Sequence, residues 1–211
     1  MRDVRMTELA KLLIEHSTAM QAGEHLLIEA FDAPDAMVIE LINACRACGA
    51  HPHVVVRSSR ILRSLVEGGD EAQFEVMGQA DLDRMKRMDA YIGLRGGFNV
   101  NEMSGVPEDR LKAWGALYGK PVHTQQRVNH TRWCVLRWPT PSMAQLAGTS
   151  TEAFENFYFD VCTLDYKAMA NAAAALQARM VATNDVHIKG PGDTDLRFSI
   201  KDIPAIPCTG S

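Results

Sequence analysis

His25-Leu-Leu-Ile-Glu-Ala30 and Pro52-His-Val-Val-Val-Arg57 bracket a helical run between Asp32 and Gly49, and this stretch decides the fold. The first segment is apolar enough to be buried on both faces, as strands of a parallel sheet are. The second is β-branched and bounded by polar residues, which reads as another strand. Between them Asp32 suits a helix cap, Pro34 and Asp35 suit a first turn, and Gly49 suits a stop. A strand, a helix and a strand at this spacing call for a right-handed crossover between parallel neighbours.

The same rhythm extends in both directions. Met6, Leu9, Ala10 and Leu13 recur at helical spacing upstream, and Gly23-Glu24 forms a turn. Downstream, Ser58 or Ser59 caps a helix carrying Ile61, Leu62, Leu65 and Val66, which Gly68-Gly69 ends. Phe74, Met77, Leu82, Met85 and Met88 mark a further helix, and Asp89-Ala-Tyr-Ile-Gly-Leu94 a third strand. Pro107-Glu108-Asp109 opens a helix with Leu111, Trp114 and Leu117, and residues 131–137 make a fourth strand. The expected class is α/β, a mainly parallel sheet flanked by helices in Rossmann-like or flavodoxin-like layering.

Beyond residue 148 the pattern changes. Thr149 with Glu152 reads as a capping box for a helix with Phe154, Phe157, Tyr158 and Val161. A second helix runs from about Thr163 to Thr183 through the Ala172–Ala175 run. Asp185-Val-His-Ile-Lys189, a Gly190-Pro-Gly-Asp-Thr194 turn, and Asp195-Leu-Arg-Phe-Ser-Ile200 then form a β-hairpin. The expected organisation is an N-terminal α/β domain over 1–182 and the first hairpin of a second domain over 183–211.

Composition excludes several classes. With 22 Lys+Arg against 26 Asp+Glu the net charge is −4, which offers no basic footprint for nucleic acid or for an anionic membrane. Met169 to Met180 is the longest apolar-rich helical stretch, and Asn171, Gln177 and Arg179 interrupt it, so no membrane span is expected. Met1-Arg-Asp-Val-Arg-Met6 does not read as a secretory leader, so none is expected, and five cysteines fit reduced thiols in a cytoplasm. Cys45-Arg-Ala-Cys48 lacks a second pair for zinc and falls on the apolar helical stripe of Val38, Leu41 and Ile42.

Few residues carry chemistry by themselves. HExxH, GxSxG, Walker and GxGxxG motifs are absent from the sequence. Arg95-Gly96-Gly97-Phe98-Asn99 follows a parallel strand, where open sheets bind ligands, so Arg95, Gly96, Gly97 and Asn99 are the ligand-loop candidates. His51 with His53, Asp185 with His187, and Asp193 with Asp195 each offer two metal donors, short of the usual three. Phe154, Phe157, Tyr158 and Phe159 suit core or contact packing more than a pocket. Arg132, Trp133, Arg137 and Trp138 set cations beside indoles, an arrangement that could bind a carboxylate or a base but more commonly serves cation–π packing and snorkelling at a strand edge.

Longer strings are more specific. Arg132-Trp-Cys-Val-Leu-Arg-Trp-Pro-Thr140, Met143-Ala-Gln-Leu-Ala-Gly148, Ser150 to Cys162, Leu164-Asp-Tyr166 and Ile188 to Ile200 resemble, in that order, the metal-dependent aminopeptidases of the aminopeptidase T and aminopeptidase S type. Residues 23–30 and Gly105-Val-Pro107 agree more loosely. The resemblance implies a cytoplasmic, homodimeric exopeptidase that takes peptide substrates. Two divalent ions (Zn, Co or Mg) would polarise the scissile carbonyl and activate a bridging water in the full-length protein. The family's metal-binding and catalytic residues would lie past Ser211, so none falls on this chain, which is expected to bind no metal and to be inactive alone. A non-catalytic binding or oligomerisation module of shared ancestry is the alternative.

Overall fold

The computed structural model describes residues 3–210; readings attached to Met1, Arg2 and Ser211 lie outside that range. It forms two compact units, one up to Thr163 and the other Leu164–Gly210. The division falls at 163/164, ahead of the boundary at 182/183 expected from sequence. The helix Tyr166–Val181 buries no residue fully, and its Gln177 amide donates to the carbonyl of Ala205, which groups it with the hairpin.

In the first unit, β1 (His25–Phe31), β2 (His51–Arg57), β3 (Ala90–Arg95) and β4 (Arg132–Arg137) form one parallel sheet in the order β2-β1-β3-β4. Helices cover both faces. On one side α1 (Val4–Leu12), its wide-turned extension Leu13–Ser17, α2 (Asp35–Ala47) and the later helix Thr151–Cys162 bring in Leu9, Ile14, Met37, Leu41 and Phe159. These meet Leu26, Ile28 and Ala30 of β1 and Ile92 and Leu94 of β3. On the other side Leu27 and Tyr91 meet Met85, Tyr118 and Val122. Strand alternation explains the split, since neighbouring residues point to opposite faces.

The remaining helices are α3 (Ser59–Gly68), α4 (Glu71–Met85) and α5 (Glu108–Trp114). The chain winds on from α5 in wide π-type turns over Gly115–Arg127, then through α6 (Val128–His130). After β4 come α7 (Pro141–Leu146) and α8 (Thr151–Cys162). The second unit contains α9 (Tyr166–Val181) and an antiparallel pair, β5 (Asp185–Lys189) and β6 (Asp195–Ser199).

Two caps differ from the sequence expectation. Asp32 does not cap α2, whose N-cap is Pro34; its carboxylate instead accepts from the backbone N–H of Ser59 at 3.0 Å, at the start of α3. With φ at 45°, Asp32 turns its side chain toward the neighbouring crossover. Ser150, not Thr149, caps α8, accepting from the N–H of Ala153 at 3.2 Å. Cys45 is buried in the core on α2, where burial pushes its thiol up to about 11, and the Cys48 thiol donates to the Cys45 carbonyl. All five cysteines are free.

Candidate functional site at the carboxyl edge of the sheet

Register fixes the site. Arg57, Phe31, Arg95 and Arg137 are mutual partners across β2, β1, β3 and β4, so their side chains leave the same face in one row. Each is the last residue of its strand. The row crosses the point where the strand order reverses, between β1 and β3, which is where open α/β sheets bind ligands.

Beneath the row, two residues back on β1, lies Glu29, 3% exposed. Its carboxylate accepts from Arg57 Nε at 2.7 Å, Arg95 Nη2 at 2.8 Å and the Tyr91 hydroxyl at 2.5 Å. Burial alone would raise its pKa; the charge of Arg95, the Tyr91 hydrogen bond and the charge of Arg57 outweigh that and hold it at about 2. Gly93 makes room for this arrangement, since a Cβ there would meet the Tyr91 ring and hydroxyl at 3.0 Å.

A second tier closes the site from α4 and the wide-turned segment. Asp81 pairs with Arg57, and the Tyr118 hydroxyl donates to Asp81 at 2.7 Å while accepting from Arg57 at 2.9 Å. Burial, chiefly, raises the Tyr91 and Tyr118 phenols, so both remain donors. Burial, reinforced by Arg127, Arg95 and Arg57, holds the His123 imidazole down at about 4 despite the opposing charge of Glu29. Arg127 lies over the Tyr91 and Trp133 rings, 5.2 and 4.5 Å from their centroids.

Two cavities open above this floor. One, of about 240 Å³, is lined by Phe31, Arg57, Ser59, Leu62, Arg95, Gly96, Trp114, Tyr118, Gly119, His123 and Arg137. The other, of about 450 Å³, shares Ser59, Leu62, Arg95, Gly96 and Arg137 and adds Gly97, Asn99, Glu102 and Ser142. The candidate loop thus divides: Arg95 and Gly96 border both cavities, Gly97 and Asn99 only the larger. The loop is pinned, because the Gly97 carbonyl accepts from Thr140 and Ser142 hydroxyls at 2.9 and 2.6 Å. Gly96 has no room for a side chain, whose Cβ would sit 2.4 Å from the Asp32 carbonyl oxygen.

The other sequence candidates scatter. His51 and His53 share a face of β2 with His25 of β1, at the opposite edge of the sheet. His25 Nδ1 and His53 Nε2 bond to each other at 2.9 Å, which occupies the two facing nitrogens. His187 bonds Asp195 across the hairpin at 2.9 Å, on an exposed surface. Tyr158 and Phe159 are core with Trp138, whereas Phe157 is exposed. Arg132 pairs with Glu24, away from Arg137. Among the described residues no group of three or more His, Cys, Asp or Glu is arranged to hold a metal ion. No described helix is long and apolar enough to cross a membrane.

With that geometry in hand, comparison with known proteins places the chain. The model of the thermophilic metalloprotease (M29) family matches residues 2–203. The chain belongs to that family. Its fold is similar to that of wild-type AmpT from Thermus thermophilus, with a TM-score of 0.71 at 17% identity, over 93% of this chain and 53% of that one. The chain therefore spans about half the length of that relative. Two further structures overlap more weakly, both with a TM-score of 0.32. They are the CurK enoyl reductase, at 12% identity over 74% of this chain and 48% of the other, and an alcohol dehydrogenase superfamily protein from Novosphingobium aromaticivorans, at 14% over 77% and 49%. No curated protein sequence matches the chain.

Proposed function

We propose that this chain is the N-terminal α/β portion of a metal-dependent aminopeptidase that hydrolyses N-terminal residues from peptides in the cytoplasm as a homodimer. The family match over residues 2–203 carries the reading. The reading treats the chain, which overlaps 53% of AmpT, as one portion of such a protein. The described residues do not fit a two-metal centre, having no three-donor group. The reading assigns that centre, with Zn, Co or Mg, to chain beyond residue 211, and leaves residues 1–211 to form the wall of the substrate cleft.

The test has two arms. Incubated with Co²⁺ or Zn²⁺ and an aminoacyl chromogenic substrate, the 211-residue chain should release no product and retain no stoichiometric metal on dialysis. The gene product extended to the length of AmpT should do both. Turnover by the 211-residue chain would overturn the assignment of the centre. An extended protein that binds metal without hydrolysing any aminoacyl substrate would overturn the peptidase reading.

A further inference from the structure

The arginine row holds more positive charge than its surroundings neutralise. Arg57 is doubly paired, to Glu29 and Asp81. Arg95 spends Nη2 on Glu29, while its buried Nη1 has no hydrogen-bond partner among the described residues. Arg137 has no carboxylate partner there, and the buried Nε and Nη1 of Arg127 and Nδ1 of His123 also lack partners. Arg57, Arg95, Arg127 and Arg137 thus face two carboxylates, Glu29 and Asp81, of which Asp81 also pairs with Arg84, and the unpaired capacity gathers on the Arg95–Arg137 side.

A buried donor without an acceptor is destabilising, and more so when charged. Native structures keep few of them, and a ligand is one way to satisfy them. The 240 Å³ cavity is lined by Arg95, Arg137 and His123, with Arg127 outside its lining, and that lining contains three arginines and no carboxylate. Arg95 and Arg137 are adjacent in register, so roughly 4.8 Å separates their backbones. Two forked guanidiniums at that separation match the oxygens of one oxyanion. Phe31, Leu62 and the Trp114–Tyr118 stack, with ring centroids 4.1 Å apart, provide an apolar wall for the body of such a ligand.

We infer that the cavity at the carboxyl edge of the sheet is a binding site for a small organic oxyanion, a carboxylate or a phosphate, gripped between Arg95 and Arg137. Arg57 and Glu29 form its fixed floor and hold Arg95 in place. The inference stands independently of the peptidase reading, since every residue in it belongs to the first unit and the reading places its metal centre elsewhere.

Titration calorimetry on the 211-residue chain at fixed ionic strength tests it, with inorganic phosphate and succinate as separate probes. Arg137→Gln is the diagnostic variant, because Arg137 is exposed and forms no ion pair whose loss would unfold the chain. Arg46→Gln, at an exposed position of α2, makes the same change in net charge at a distance. One equivalent of at least one probe should bind, about tenfold more weakly to Arg137→Gln and equally well to Arg46→Gln. Binding of phosphate alone identifies a phosphoryl ligand, binding of succinate alone a carboxylate, and either supports the site. Absence of saturable heat up to about 10 mM of both probes overturns it. So does equal weakening in the two variants, or undiminished binding to Arg137→Gln.

Discussion

Glu29 is the residue on which the site rests. A carboxylate on a strand buried on both faces survives because two guanidiniums and a phenol meet it. Removing its charge leaves Arg57 and Arg95 facing each other with fewer partners, so Glu29→Gln should cost about 3–5 kcal/mol of unfolding free energy by denaturant titration. A loss under about 1 kcal/mol would mean that water already screens the pair. His123 makes a second, pH-dependent statement. Its imidazole, ordinarily near 6.5, is held at about 4 in the fold, chiefly by burial. The unfolded chain therefore takes up the proton first. The stability from the neutral ring is present above pH 6.5 and lost progressively toward pH 4, on the order of 3 kcal/mol in all. Glu29, held at about 2 against 4.5, adds stability present above pH 4.5 that disappears as pH falls toward 2. His123 should be neutral at pH 5 by NMR titration of its ring, and His123→Phe should flatten stability between pH 6.5 and 4. A ring that titrates near 6.5 would sink this account. Of these residues, Arg95 was legible in sequence as the end of a strand beside glycines. Tyr91, Tyr118, Asp81 and His123 were not. They converge on Glu29 and Arg57 from 24 to 62 residues away along the chain, or through aromatic and charge contacts with no local signature.

At the scale of elements, β-branched and apolar runs locate all four parallel strands within a residue or two: burial on both faces gives β1 and β3 a near-continuous apolar signal, and β-branched residues mark the more exposed edge strands β2 and β4. Helix ends are less legible. Asp32 and Thr149 both have capping chemistry, but tertiary geometry sends Asp32 to Ser59 and gives the cap of α8 to Ser150. The longest omission is the wide-turned segment Gly115–Arg127, which contains Gly115, Gly119 and Pro121, residues that read as helix breakers. It is held by packing rather than propensity: Tyr118 and Val122 enter the core with Met85 and Tyr91. Its approach to α4 is close, since a Cβ on Gly78 would stand 2.2 Å from the Leu117 carbonyl oxygen. A backbone oxygen cannot swing aside as a side chain does, so the two elements would have to separate. Gly78→Ala should therefore destabilise the fold by about 1–3 kcal/mol, although alanine is the better helix former. Because separation would tilt Tyr118 away from Arg57 and Asp81, the variant should also weaken phosphate or succinate binding. An alanine variant that melts higher than the parent would show that the segment has slack.

The whole molecule joins a well-buried sheet to a unit of different character. In register, Val186 faces Phe198 and Ile188 faces Leu196 on one side of the hairpin. Ile188, Leu196 and Phe198 are 45%, 54% and 42% exposed, and Ile203 and Ile206 nearby are exposed as well. A two-stranded hairpin has two open edges and is marginal by itself in water. An apolar face of this kind gains about 25 cal/mol for each Å² it removes from water, so contact with a second surface is favoured over solvent. The polar cross-strand contact of His187 with Asp195 fixes the pairing but covers none of that face. The 211-residue chain should accordingly associate as its concentration rises. Replacing Leu196 and Phe198 together by serine should shift sedimentation equilibrium toward the monomer while leaving the far-UV signal of the α/β unit intact, since neither residue belongs to its core clusters. Association of equal strength in the double variant would place the contact on the first unit, with the exposed Val54 and Val56 of edge strand β2 as its apolar side chains.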